Sequence, residues 1–332
     1  MSSGAGVAQV RPPGSDGERA AAAVVEAGLG EVGFPVRRFT QPALRGPLVL
    51  PFLAVVLRAV SAGGRGTHVF TVLGLVAMWL AMPGPPIARS RLMARVPGLG
   101  RPCTSVSAAV PGADPLRAPP IVVVTRLDAH PGERPLAAWH EWVAFGSALV
   151  AALSNLADGP TPRTLAWVVL AEAALTGLLL LAASRRATVP ASGQPHLLVG
   201  LARRLKASKP VRDTHLVAAG GGTVGASGLL AYLGADLDLA RTGWVVTLSR
   251  VPKVDAVPER SYLPPRTTHA PAVRALAQAA IESGEAIDIA PPGPGSQEAR
   301  AALARGLPAI TFATSDDART VEIVDSLTRT VL

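Results

Sequence analysis

Four apolar stretches constrain this chain more than any other feature of its sequence. They cover residues 47–62, 68–86, 142–157 and 164–184. The fourth is the strongest, because it approaches the ~20 apolar residues that a helix needs to cross a bilayer and only Glu172 interrupts it. The first is short and contains Pro51 and Arg58, so it is better explained as one arm of a hairpin with the second. We therefore expect two transmembrane hairpins, at residues 47–86 and 139–184.

Composition favours the same interpretation. The chain has 332 residues, 49% of them hydrophobic, and a mean hydropathy of +0.34, which is more apolar than a soluble α/β domain requires. Its net charge of +9 comes mostly from scattered arginines, a pattern that disfavours nucleic acid as a partner and favours anionic membrane lipid. The single cysteine, Cys103, excludes a disulfide or a cysteine-based zinc cluster within the chain.

The arginines also predict an orientation. Residues 87–138 and the positions just after residue 184 are rich in arginine, whereas the loops on the other side carry few charges. By the positive-inside rule we expect a multi-pass plasma-membrane protein whose bulk is cytoplasmic. Glu172 is expected to be a protonated carboxyl that bonds to Ser154, Asn155 or Thr176, and the head of Arg58 is expected to reach the interface.

Outside the apolar stretches, helical and extended patterns alternate, which predicts an α/β fold with a mostly parallel sheet flanked by helices. This domain would be built from residues 16–46, 87–138 and 185–332, after a disordered tail at 1–15. The predicted helices cover residues 17–30, 196–205, 226–233, 270–283, 297–305 and 320–332, and the predicted strands cover 35–39, 121–125, 215–219, 244–248 and 309–313.

Six segments carry a resemblance to a known family. They are GERAAAAVVEAGLGEVGFPVRRF, IVVVTRLDAH, VPASGQPHLLVGLARRL, HLVAAGGGTVGASGLLAYL, WVVTLSR and GLPAITFATSDDARTVEIVD. In this order they resemble the zinc-dependent aminopeptidases of metallopeptidase family 28, and in particular their bacterial relatives with membrane hairpins inserted in the peptidase domain. The resemblance implies a zinc-aminopeptidase fold over most of the chain.

The same resemblance implies that the metal centre is degenerate. Asp128 is retained from the family's His-x-Asp motif, and Arg319 falls where the last turn of the family has an aspartate. Glutamine, glycine, threonine and serine cannot replace the ligands and general base of a two-zinc hydrolase, and an arginine places a fixed positive charge where the cation should lie. The positions at which a ligand or base is lost are Arg126, Gln194, Gly222, Thr223, Ser249 and Ser315.

The resemblance therefore implies a catalytically inactive domain with a binding or scaffolding role. We expect no catalytic residue, no metal and no cofactor, and we expect membrane lipid and a protein or peptide as partners.

Two alternatives remain open at this point. The first is an active metal-dependent membrane peptidase that uses Asp128, Asp316 or Asp317 with His130. The second is an NADP-binding membrane oxidoreductase, because Gly220, Gly222 and Gly225 fit a dinucleotide-binding turn between a strand and a helix, and Arg250 after the next strand would meet the 2′-phosphate. We favour a glycine-rich turn left by the loss of the family's carboxylates.

Overall fold

A computed structural model describes most of the chain, which divides into two compact units. Unit 1 comprises residues 1–45, 85–129 and 191–332, and unit 2 comprises residues 46–84 and 130–190. Residues 1–10 of the predicted tail lie outside the described part. The described residues are 11–45, 48–63, 68–81, 87–114, 118–128, 138–156, 163–185, 194–236, 238–249, 254–262, 265–268, 270–292 and 296–330.

The described residues of unit 1 form a seven-stranded mixed sheet in the order β1-β2-β4-β3-β5-β9-β6. Neighbours among the four central strands β4, β3, β5 and β9 are parallel, whereas β1, β2 and β6 pair antiparallel. The prediction of a mostly parallel sheet is therefore wrong at both edges. The strands are β1 (Val36–Leu44), β2 (Gly100–Val110), β3 (Ile121–Arg126), β4 (Thr214–Ala219), β5 (Trp244–Leu248), β6 (Ala256–Pro258) and β9 (Ala309–Phe312), with β7 (Arg260–Tyr262) and β8 (Pro265–Thr267) forming a separate hairpin.

Eight helices of unit 1 accompany these strands in its described part, and they include the six that the sequence predicts. The first begins at the cap formed by Ser15, whose Oγ accepts the Glu18 N–H, and ends at Gly33 in the left-handed region. The helices are α1 (Asp16–Val32), α4 (Ile87–Met93), α7 (Pro195–Ser208), α8 (Ser227–Ala235), α9 (Leu239–Thr242), α10 (Ala270–Glu282), α11 (Gln297–Ala304) and α12 (Asp317–Arg329).

Side-chain alternation along the strands divides the core between the two faces of the sheet. On β3, Ile121 and Val123 belong to the cluster that packs with α1, α7, α10 and α12. Val122 and Val124 belong to the cluster that packs with α8, α9 and α11. A strand buried on both faces is a continuous apolar run, which is why the sequence IVVVT predicts β3 correctly.

Unit 2 contains α2 (Val49–Gly63), α3 (His68–Ala81), α5 (Ala138–Leu156) and α6 (Arg163–Arg185). Within the part of the chain that the structure describes, no helix has both the length and the apolar character needed to cross a membrane. The 15 residues of α2 and 14 residues of α3 rise about 1.5 Å each, which is too short for the ~30 Å hydrocarbon core. The predicted inserted transmembrane hairpins and multi-pass plasma-membrane location are therefore wrong.

Small residues fill the helix contacts of unit 2. Ala77, Ala148 and Ala152 are buried, and a Cβ at Gly74 would lie 2.8 Å from the Ser61 Oγ. Large apolar side chains point outward instead. Those with the greatest exposure are Trp167, Leu178, Val168, Val69 and Trp142.

A buried ion pair lies inside unit 2. The Arg58 Nη2 is 2.8 Å from the Glu172 Oε2, and the Arg58 Nη1 donates to the Ala144 carbonyl at 3.0 Å. The Thr176 and Ser147 hydroxyls donate to Glu172 at 2.6 and 2.9 Å. The predicted Thr176 contact is therefore confirmed, but Glu172 forms an ion pair with Arg58 instead of the expected protonated carboxyl. The expectation that Arg58 extends to a surface is also wrong, because its side chain is 1% exposed. The side chains of Ser154 and Asn155 lie outside the described residues.

Candidate functional site

The carboxyl ends of the parallel strands in unit 1 meet at one edge of the sheet, where α/β proteins characteristically bind ligands. Arg126 ends β3, Ser249 follows β5 and Thr314 follows β9 closely. A glycine turn, defined here as residues 220–226, connects β4 to α8 at the same edge. Several of the predicted site residues therefore lie at the carboxyl end of the sheet, and their contacts decide what chemistry they can perform.

The backbone of the glycine turn is held in an unusual conformation. Gly221 and Gly225 have φ values of 64° and 93°, in the left-handed region that glycine adopts without strain. Ala226 has a φ of 53°, which costs a residue with a side chain on the order of 1 kcal/mol or more. Such a turn persists only where its surroundings fix it.

Four amides of the turn are already bound to protein side chains. Each donates its N–H to an oxygen that comes from a different element of unit 1. The four bonds join Gly220 to Ser105 Oγ at 2.9 Å, Gly221 to Glu18 Oε2 at 3.2 Å, Gly222 to Asp128 Oδ1 at 2.7 Å, and Gly225 to Gln297 Oε1 at 2.9 Å. A pyrophosphate would have to displace these acceptors, because a dinucleotide-binding turn leaves its amides open to the ligand.

Arg126 and Glu298 form an ion pair directly against the turn. The Arg126 Nε is 3.4 Å from the Glu298 Oε1, and both side chains are buried. A Cβ at Gly222 would lie 2.2 Å from the Glu298 Oε1 and 2.4 Å from the Arg126 Cγ. The ion pair therefore occupies the space that any side chain at position 222 would need.

The buried charges of Arg126 and Glu298 balance each other. Burial raises the pKa of the Glu298 carboxyl, and the Arg126 guanidinium opposes this shift. Removing one partner of a buried ion pair typically costs about 3–5 kcal/mol, because the other charge is left without compensation. Arg126 and Glu298 must therefore be considered as one unit.

Glu18 is the second buried carboxyl at the turn. Its Oε1 accepts the Thr104 N–H at 2.9 Å, and its Oε2 accepts the Gly221 N–H. Burial raises the pKa of Glu18 to about 7, and the nearby charge of Asp128 contributes in the same direction. Burial, followed by the charges of Glu18 and Asp128, also raises the pKa of the Cys103 thiol, which therefore stays protonated.

The other predicted positions are more scattered. Gln194 and Ser249 are buried, and the Gln194 N–H donates to the Thr125 Oγ1 beside the end of β3. Ser315 is exposed in the loop before α12, and Arg319 pairs with Glu285 at 2.7 Å. The structure thus brings Arg126, Asp128 and Gly222 together. The Thr223 side chain, His130 and Arg250 lie outside the described residues.

Sequence reasoning missed Glu18 and Glu298, although a signal for both exists. Glu18 precedes Ala22, Val25 and Leu29 at helical spacing, so it lies on the stripe of α1 that faces the core. In α11, Glu298 precedes the buried Ala301 and Ala302 by three and four residues. A carboxylate on a buried helix stripe requires a polar partner, which here is supplied by the turn and by Arg126.

These residues do not fit a zinc centre. In the part of unit 1 that is described, no group of three or more histidine, cysteine, aspartate or glutamate side chains is arranged to hold a metal ion. One oxygen of Asp128 accepts the Gly222 N–H, and the Arg126 guanidinium stands beside the carboxylate of Glu298. A zinc ion needs several deprotonated ligands that converge on one point, whereas the Glu298 carboxylate here faces the Arg126 guanidinium.

Neither a protein-family model nor a curated protein matches the sequence. Among solved structures, a Zn-dependent exopeptidase from Parabacteroides distasonis matches with a TM-score of 0.50 and 11% identity, over 96% of this chain and 90% of that chain. An aminopeptidase from Aneurinibacillus has a TM-score of 0.47 and 13% identity, over 97% of this chain and 89% of that chain. A glutaminyl cyclase from Fimbriiglobus ruber has a TM-score of 0.45 and 12% identity, over 96% and 88%.

The exopeptidase match defines the class of fold. At 11% identity it shows the fold alone, which is the mixed α/β architecture of that Zn-dependent exopeptidase. The α/β metallopeptidase-like fold implied by the sequence resemblance is therefore confirmed, whereas the inserted transmembrane hairpins are not.

Gly222→Ala is expected to destabilise unit 1 by roughly 1–3 kcal/mol, because the new Cβ would overlap Glu298 and Arg126. Gly234→Ala is the matched control, since a Cβ there meets nothing within 4 Å and alanine favours the helix by up to ~1 kcal/mol. Urea unfolding followed by circular dichroism measures both. Equal stability of the two variants would show that the ion pair does not fill this space.

Proposed function

We propose that unit 1 is a non-hydrolytic member of the zinc-aminopeptidase fold class and that the protein acts by binding or scaffolding. The observation that carries this proposal is the Arg126–Glu298 pair packed against Gly222. Hydrolysis by this fold class requires carboxylates that hold the metal and accept a proton from water. We infer that in this chain the Arg126 stem and the Glu298 carboxylate, which pair at 3.4 Å, occupy the space of that metal.

Among the described residues, Asp316 and Asp317 do not supply a replacement centre with Asp128. The Asp316 Oδ1 accepts the Ala318 N–H at the start of α12, which is a capping role. Asp317 pairs with the exposed His196 at 2.8 Å. Two exposed groups at a helix start are a surface interaction, and they do not converge with Asp128 in any described metal-binding group. This supports the inactive interpretation over an active peptidase.

The occupied amides of the glycine turn weigh against a dinucleotide site. All four N–H groups donate hydrogen bonds to side-chain oxygens of α1, α11, β2 and the segment after β3. We therefore favour a structural role for Gly220, Gly222 and Gly225 and do not propose an oxidoreductase.

For the binding role, we infer that the surface is the apolar exterior of unit 2. Its most exposed large side chains include Trp142, Trp167 and Leu178. We infer that they form one patch, because large exposed apolar patches mark interaction sites. The partner's chemistry at this surface is apolar, either the hydrocarbon chains of lipid or the apolar face of a protein.

Purified protein is expected to contain zinc far below one ion per chain and to release no N-terminal residue from a leucine anilide substrate. Asp128→Ala should leave the zinc content unchanged, because Asp128 binds the Gly222 amide and not a metal. Inductively coupled plasma mass spectrometry and a chromogenic assay with added zinc measure the two quantities. Stoichiometric zinc that is lost in Asp128→Ala, together with chelator-sensitive hydrolysis, would refute the proposal.

The apolar exterior is tested by tryptophan emission. Adding phosphatidylcholine vesicles should shift the emission of Trp142 and Trp167 to shorter wavelength and cosediment the protein, and Leu178→Ser should weaken both effects. Val24→Ser on α1 of unit 1 is the control, because it removes an equally exposed apolar side chain elsewhere.

A shift that depends on protein concentration but not on vesicles would assign the surface to a protein partner, here a second copy. No shift under either condition would contradict the inference.

A further inference from the structure

The strand β1 forms one edge of the sheet of unit 1. Its nine residues, Val36–Leu44, pair antiparallel with β2, and no other described strand pairs with it. The strand at the other edge, β6, is short and covered, because Ala256 exchanges backbone hydrogen bonds with Asp288 and Ala290. Within the described part of the chain, β1 is therefore the long edge that no strand covers.

The pairing with β2 shows which backbone groups of β1 point outward. The Arg45 N–H, one residue beyond the strand, donates to the Leu99 carbonyl at 3.1 Å, so these opposite residues are a hydrogen-bonded pair. In an antiparallel ladder such pairs alternate with pairs that are not hydrogen-bonded. Thr104, opposite Thr40, belongs to the second kind, because its N–H donates to Glu18 instead. The backbone of Thr40 therefore points away from β2.

The same alternation turns the N–H and C=O groups of Val36 and Arg38 outward together with those of Thr40. No backbone group of another described residue binds them. The next outward position is Pro42, which lies opposite Pro102 and has no N–H to offer. The outer edge of β1, defined here as Val36, Arg38 and Thr40, is thus a short row of open hydrogen-bonding groups that a proline terminates.

Basic side chains flank the outer edge of β1 on both faces of the sheet. Arg37 and Arg38 are exposed and, as consecutive residues of a strand, point to opposite faces. Arg38 pairs with Glu26 of α1 at 3.3 Å, whereas no described carboxylate pairs with Arg37. On the Arg37 face, the Phe39 ring stacks on Tyr232 with 6.1 Å between the ring centroids. A strand added to this edge would meet positive charge on both faces.

We propose that the outer edge of β1 binds an extended acidic segment of a partner protein by strand addition. The open N–H and C=O groups supply the main-chain hydrogen bonds, and charge complementarity with Arg37 and Arg38 selects acidic side chains. A second copy of this chain fits less well, because antiparallel pairing of two copies across Arg38 would bring their arginines together. The edge belongs to unit 1, so its binding does not depend on the apolar exterior of unit 2.

Fluorescence anisotropy of the full chain with a labelled peptide measures this binding. The probe is a short fluorescein-labelled peptide with a pair of adjacent glutamates among valine and threonine, which favour extended backbone. Binding should be saturable and should weaken as the salt concentration rises from about 0.05 to 0.5 M, because salt screens exposed charges. The same peptide with lysine in place of glutamate should show no saturable binding.

Thr40→Pro should weaken the binding of the glutamate peptide by about tenfold, because it removes an outward N–H. Proline is tolerated at such positions of an edge strand, and Pro42 already occupies one. Thr40→Ala is the matched control, since it keeps the N–H and should bind like the wild type. Arg37→Glu should weaken binding by about three- to tenfold, whereas Arg241→Glu, the same reversal at an exposed residue of α9, should not.

The absence of saturable binding, equal binding of the lysine peptide, or wild-type affinity in Thr40→Pro or Arg37→Glu would overturn the proposal. A dimer in sedimentation that Thr40→Pro abolishes would assign the edge to a second copy instead. Should Thr40→Pro fail to fold, a glutamate peptide with N-methylated amides takes its place. This probe has no backbone donor, so undiminished binding of it would rule out strand addition.

Discussion

The contact between Arg126, Glu298 and Gly222 determines what the carboxyl edge of the sheet can be. A buried arginine at the end of β3 needs a buried counter-charge, and Glu298 supplies it from α11. Their combined volume leaves room only for hydrogen at position 222, so the turn after β4 must be glycine. With no side chain there, the amides of the turn become the available polar groups, and Glu18 and Asp128 bind them. The polar contacts around the turn are therefore mutually dependent.

The fold of unit 1 was largely predictable because its central strands are buried on both faces. IVVVT and WVVTL are continuous apolar runs between turn residues, and α1 and α12 carry clear helical patterns. The strand β2 was missed, since its sequence TSVSAAV, most of which is buried, mixes small polar residues with apolar ones and has no continuous apolar run. The short β6 was missed because three residues carry no periodicity.

For the candidate site, the sequence resemblance predicted which positions lack a metal ligand, but it could not predict which contacts the residues at those positions make. Arg126 is one of these predicted positions, but its partner Glu298 lies 172 residues later and only the packing of α11 brings the two together. Unit 2 was misinterpreted for a related reason. Hydropathy measures the apolar content of a segment, whereas the contacts show that Arg58 and Glu172 pair inside the helices and that small residues form the interior.

The most direct test of the central claim is an anomalous difference map at the zinc absorption edge, from crystals of the intact chain soaked in zinc. The account predicts no anomalous peak between Asp128, Glu298 and the glycine turn, and electron density for the Arg126 guanidinium against Glu298. A strong peak at bonding distance from Asp128 and Glu298, with Arg126 displaced, would contradict it.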